Sequence, residues 1–147
     1  MSEIAVALQL APDDARVQES FGDIWAMRAH RERAREHLSP GREAYARAAA
    51  LAPEAPSAWA SLGATFREDG DCAGVRRGVD ALERARELAP WHPGISLDLG
   101  RLYRRLGDAE AARQRLRFVT SLAHSSELVE QAREVLRELD AGARPNC

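Results

Sequence analysis

The chain has 147 residues, 45% of them hydrophobic and 30% charged, the composition of a globular rather than a disordered chain and enough for one domain with a buried core. Its formal net charge is −2, which argues against a general affinity for nucleic-acid phosphates, and no apolar run reaches the roughly 20 residues that span a bilayer. All 21 basic residues are arginine, so lysine nucleophiles and Schiff bases are excluded.

Residues 1–12 read as a single helix. Ile4, Ala7 and Leu10 recur at one-turn spacing and form one apolar stripe, which Ala11-Pro12 ends. The same ending returns at Leu51-Ala52-Pro53 and Leu88-Ala89-Pro90, and Leu122-Ala123-His124 occupies the same place. Internal repetition therefore organises the chain.

Residues 13–53 predict a helix pair. Phe21, Gly22 and Trp25 fall nine, ten and thirteen positions after Pro12, and Tyr45 and Ala48 stand eight and five before Pro53. The linking stretch "MRAHRERAREHL" carries the pairs Arg28–Glu32 and Arg33–Glu36, which suit an exposed helical extension. The first helix is expected to overshoot its neighbours by about two turns. Ser39-Pro40 offers an N-cap with proline in the first turn.

Residues 54–90 repeat the pattern with Trp59, Leu62, Gly63 and Phe66, then Gly78, Leu82, Ala85 and Pro90. Gly70-Asp71 offers a left-handed stop and an N-cap, and Cys72 to Gly78, with two glycines, reads as a longer loop or frayed helix start. Residues 91–124 carry Leu99, Gly100 and Tyr103, a second stop at Gly107-Asp108, then Ala112, Leu116 and Val119. Trp91, between two prolines, is expected to fold back and staple two helices, the alternative being an exposed anchor. Trp25 and Trp59 belong to the repeated columns and are expected in the core. Residues 125–140 predict a capping helix with Leu128, Ala132, Val135 and Leu139 on one face, and 141–147 a disordered tail.

The run Trp59-x2-Leu62-Gly63-x2-Phe66, followed by Gly78-x3-Leu82, Ala85 and Pro90, resembles the tetratricopeptide repeat, as do Leu99-Gly100-x2-Tyr103 and Ala112-x3-Leu116. The resemblance implies an all-α solenoid of helical hairpins, a right-handed superhelix, with a half-repeat, three full repeats and the cap. The anchors stand 41, 37 and 34 residues apart, so only the last repeat has the family's usual length.

Such a solenoid has a concave face lined by the first helices. The expected lining is Arg16, Glu19, Asp23 and Ala26, then Ser57, Ala60, Ala64 and Arg67, then Gly94, Leu97, Arg101 and Arg104 with neighbouring Arg105. This describes a groove acidic at one end, small-walled in the middle and basic at the other, where Arg101, Arg104 and Arg105 would pair with a partner's carboxylates. Some members of the family grip a peptide's terminal carboxylate with a lysine–asparagine clamp. Glu19, Asp23, Ala60 and Ala64 stand in the corresponding lining, so that mode is not expected.

No constellation for chemistry emerges. His30 and His37 share a helix face without a third ligand. His92 and His124 lie in turns. Asp69 and Asp71 beside Cys72 disfavour its thiolate. No phosphate loop, HExxH or GxSxG occurs. The expectation is a non-catalytic, cofactor-free scaffold that binds a protein or peptide, not nucleic acid or membrane. The start, Met1-Ser2-Glu3-Ile4, lacks the basic opening of a secretory signal, and two cysteines make no disulfide framework, so a reducing, cytoplasmic setting is expected. Two rival readings are self-association through the N-terminal half-repeat, and the C-terminal repeat region of a larger bacterial enzyme or regulator.

Overall fold

A computed structural model describes residues 2–33, 36, 38–122 and 126–147. Among the described residues there are eight helices and no strand: α1 Glu3–Leu10, α2 Ala15–Glu32, α3 Leu38–Leu51, α4 Pro56–Ala64, α5 Cys72–Leu88, α6 Pro93–Leu106, α7 Ala109–Leu122 and α8 Glu127–Asp140. Helices α2 and α3, α4 and α5, and α6 and α7 pack as hairpins, and α8 lies on both α7 and α6.

The local signals explain most boundaries. Asp14, Asp71, Asp108 and Ser126 accept from backbone N–H groups of the first turns of α2, α5, α7 and α8, satisfying donors those turns leave open. His92 does the same for α6 through Nδ1, and Pro93 and Pro56 occupy the first turns of α6 and α4. Helices α1, α3 and α5 each stop two residues before the anchor proline, where the amide of Ala11, Ala52 or Ala89 closes the last turn. Gly107, at φ 83°, is the left-handed stop of α6.

The core runs between hairpins. Val75, Val79, Leu82 and Ala85 of α5 meet Ile95, Leu99 and Leu102 of α6, and Leu97, Leu116 and Val119 meet Ala132, Val135 and Leu139. Leu82, Leu99, Leu102 and Leu116 are fully buried, each stabilising by about 1.5–3 kcal/mol. The N-terminal half is filled by smaller groups, Ala48, Ala49 and Ala58 with Trp59 against them, and α1 buries no residue at all.

Glycine sets how closely the helices approach. A Cβ on Gly63 would meet Leu82 Cγ at 2.5 Å and the Gly78 carbonyl at 2.9 Å, and one on Gly78 would meet Phe66 Cβ at 2.7 Å. Backbone therefore packs on backbone where α4 crosses α5. In the flanking hairpins Gly22 and Gly100 instead make room for side chains, Tyr45 and Leu116.

Several expectations change. Helix α2 has 18 residues against 14 in α6 and nine in α4, so it exceeds α4 by somewhat more than the expected two turns and α6 by about one. It ends at Arg33, which takes the left-handed conformation at φ 52°. The Arg28–Glu32 pair forms at 3.1 Å, while His37, Ala123 and His124 lie outside the described residues. Helix α3 begins at Leu38, so Ser39-Pro40 falls inside its first turn rather than capping it. Cys72 to Gly78 is neither loop nor frayed. Asp71 caps α5 directly, and the insertion becomes helix, giving α5 17 residues where α7 has 14. Gly70 lacks the left-handed φ. Helix α4 instead unwinds through turns at 65–69, held by Arg42 of α3, whose guanidinium donates to Thr65 Oγ1 at 3.1 Å and Thr65 O at 2.6 Å and pairs with Asp69.

Trp91 is 77% exposed and staples nothing. Trp59 is half-buried and donates through Nε1 to Pro53 O at 3.1 Å. Trp25 is half-buried too, edge-on to Phe21, with Arg28 over its ring. Cys72 and Cys147 form a disulfide, with Cα atoms 4.8 Å apart. Residues 141–147, expected as a free tail, run back from α8 to α6: Gly142 turns the chain at φ 76°, Pro145 lies against Gly107, and Asn146 bonds to Arg105.

Candidate partner-binding groove

Two clefts open along the side of the first helices and meet at Arg67 and Glu68, in the turn that follows α4. The central cleft, about 550 Å³, has small groups Ala26 and Ala29 from α2 and Ser61 and Ala64 from α4, with His30, Arg33, Leu38 and Tyr45 around them. Short side chains on both walls leave room for a guest's backbone.

Tyr45 anchors the wall between α2 and α4. Its hydroxyl donates to Asp23 Oδ1 at 2.7 Å. Burial, reinforced by that carboxylate, raises the phenol's pKa well above its ordinary value. Asp23, one of the expected acidic lining residues, is thereby committed to the scaffold. Tyr103 is held in the same manner by Glu83 at 2.8 Å, and burial and this bond push it up to about 12.

The second cleft, about 890 Å³, lies between the turn after α4, the face of α6 and the cap α8. Here the three expected arginines are together, but each already has partners. Arg101 donates to Gln131 Oε1 at 2.7 Å and Asp98 Oδ1 at 3.4 Å. Arg104 pairs with Glu138 at 3.3 Å. Arg105 is 9% exposed and donates to Arg67 O at 2.6 Å, to Asp69 O, and to Asn146 O and Oδ1 at 3.0 and 3.3 Å. It ties α6 to the unwound end of α4.

Of the other expected lining residues, Ala64 and Arg67 line the central cleft. Arg16 is exposed and paired with Asp14, whose carboxyl its side-chain and backbone N–H groups hold below the ordinary value. Glu19, Asp23, Ser57, Ala60 and Gly94 line neither cleft. Leu97 is a correction: it is 2% exposed, packed in the core that α8 completes. Helix α8 packs on α6 and covers it. Gln131, Glu134 and Glu138 of α8 and Asn146 of the tail line the second cleft and were not foreseen. Only the polar outer face of the cap hinted at them.

No curated protein is similar enough to this chain to count as a relative. A crystal structure of MamA is similar at a TM-score of 0.70 and 17% identity, covering 95% of this chain and 86% of that one. Residues 76–128 match a family described as tetratricopeptide repeat, the stretch holding most of α5, all of α6 and α7 and the start of α8. With helical hairpins stacked in succession and glycine at each close crossing, the chain is an all-α solenoid of the tetratricopeptide-repeat type.

Proposed function

We propose that this solenoid is a non-catalytic scaffold that receives an extended or helical segment of another protein along α2, α4 and α6. The general role, protein interaction, follows from the repeat. The groove assignment is carried by one observation: the central cleft has a run of small side chains, Ala26, Ala29, Ser61 and Ala64, with polar groups at its margin. Its walls are rigid helices, so a guest need not order the host. Arg67, shared by both clefts and paired with Asp98 at 3.4 Å, is 45% exposed along its side chain, and with exposed Arg33 of the central cleft it is placed to meet a partner.

Ala64→Arg would fill the central cleft, while Arg84→Glu would reverse a charge on α5. Affinity capture from the source cell, read by mass spectrometry with helicity checked by circular dichroism, should lose partners with the first variant and keep them with the second. The opposite pattern, or no captured partner, would refute the groove assignment.

A second reading, self-association through the N-terminal half-repeat, is favoured by exposed apolar side chains on α1: Leu10 at 81% and Val6 at 38%. Light scattering across a concentration series tests it, and a concentration-independent monomer excludes it.

A further inference from the structure

The tail of this chain reaches into its own groove. Gly142 ends α8 in the left-handed conformation, and Ala143 closes the last turn on Glu138 O. Pro145 then covers Gly107, Asn146 donates its N–H to Arg105 O at 3.2 Å, and Cys147 joins Cys72 at the first turn of α5. Asn146 thus becomes part of the lining of the larger cleft.

How Asn146 meets Arg105 indicates what else would fit. Its backbone carbonyl accepts from Nη2 at 3.0 Å and its side-chain oxygen from Nε at 3.3 Å. Two oxygens side by side on the Nε–Nη2 edge are the arrangement of a carboxylate in a bidentate pair. The rest of the guanidinium is fixed by Arg67 O and Asp69 O, so this edge stays aimed whether or not the tail is present.

The hold on the tail rests on its cross-link. Asn146 makes three hydrogen bonds to Arg105, each with a small net worth in water, against the conformational entropy of ordering residues 143–147. The disulfide removes most of that entropy by fixing Cys147 to Cys72 at the start of α5, so the tail is held at both ends. Without it the balance favours release, and the buried guanidinium is left with two N–H groups lacking acceptors.

We propose that the Cys72–Cys147 disulfide is a redox latch, and that its reduction swings residues 143–147 away and opens the Arg105 edge to an acidic peptide segment. The step balances as thiol–disulfide exchange with a dithiol reductant. The reductant passes an electron pair to the Cys72–Cys147 bond, its own sulfurs join as a disulfide, and its two protons finish on the Cys72 and Cys147 thiols. In a reducing compartment the latch stands open, and in an oxidising one it is shut. This rests on the groove reading above and specifies its regulation and its partner's charge.

The test uses the full chain in three forms: oxidised, reduced with dithiothreitol, and the Cys72→Ser/Cys147→Ser double variant. Amide hydrogen exchange at Asn146 reports the tail, and fluorescence anisotropy of a labelled tetraglutamate peptide, with tetraglutamine as control, reports the cleft. Asn146 should exchange freely in the reduced and double-variant forms and be protected in the oxidised one. Tetraglutamate should bind those two open forms about tenfold more tightly than the oxidised form, since a tail fixed at both ends competes far more effectively than one held only through α8, and tetraglutamine should show no difference. Protection of Asn146 in all three forms overturns the latch. Release of Asn146 with equal tetraglutamate binding in every form overturns the gating and leaves the groove reading intact. Release with no tetraglutamate binding in any form overturns the acidic specificity, and failure of Ala64→Arg to displace partners separately overturns the groove.

Discussion

Replacing Gly63 with alanine probes the close crossing of α4 and α5. Alanine is the better helix former by about 1 kcal/mol, so an unpacked helix would gain stability. Here the added methyl lies 2.5 Å from Leu82 Cγ and 2.9 Å from the Gly78 carbonyl. Ordinary contact is about 1 Å longer, and neither neighbour can yield, because Leu82 is fully buried in the α5–α6 core and the carbonyl belongs to a helix backbone. Overpacking of this kind costs about 1–3 kcal/mol, and forcing α4 off α5 also loosens Phe66 against Gly78. The upper part of that range applies, leaving a net loss of about 2 kcal/mol after the propensity gain. For a chain of this size that lowers Tm by about 4–8 °C. Gly70→Ala is the control, since nothing lies within 4 Å of its position and its φ is not left-handed. It should be neutral or stabilise by up to about 1 kcal/mol through the unfolded chain. Urea and thermal melts followed at 222 nm compare the three proteins. A Gly63→Ala protein as stable as the parent would refute backbone-to-backbone packing at this crossing.

Arg42→Ala should lose about 2–3 kcal/mol in urea titration, because Thr65 O, Thr65 Oγ1 and Asp69 lose a shared charged donor; Arg42→Lys should recover only part, and a loss under about 0.5 kcal/mol would show that Arg42 does not hold the end of α4. The chain has two tyrosines, both with raised pKa values, so the folded protein should show no phenolate absorbance step at 295 nm near pH 10, whereas in 8 M urea both should titrate there. Because the unfolded chain releases these protons first, stability should fall as pH rises from about 10 to 12. A folded-state step worth one tyrosine near pH 10 would contradict the buried Tyr103–Glu83 and Tyr45–Asp23 pairs.

The helix ends and the glycine crossings were readable because their causes are local or periodic. A proline stops a helix within two residues, and a glycine recurring at one position in each hairpin marks a place where no side chain fits. What escaped reading depends on groups that have no letter of their own. Arg105 looked free for a partner because its acceptors are main-chain oxygens of residues 67, 69 and 146, which any residue would offer. Leu97 is buried because α8 packs onto α6 at the end of the solenoid, a contact between helices that are not consecutive in the chain. The Cys72–Cys147 pairing spans 75 residues, and two cysteines without a local pattern carry no spacing signal. Trp91 misled for the opposite reason. The turn chemistry around it is sound, but Pro93 and His92 already start α6 without help from the ring.

The bond between Cys72 and Cys147 makes helices α5 to α8 a closed loop of covalent chain. A molecule pulled from both ends can pay out only its first half while that loop is shut. The withheld length is about 250 Å, taking 75 residues at roughly 3.4 Å each. Under tension the α1–α4 half, with its alanine-filled interior, is the part that gives, taking the Arg67–Gly70 wall of the arginine cleft with it, while α5 to α8 stay closed until the sulfurs part.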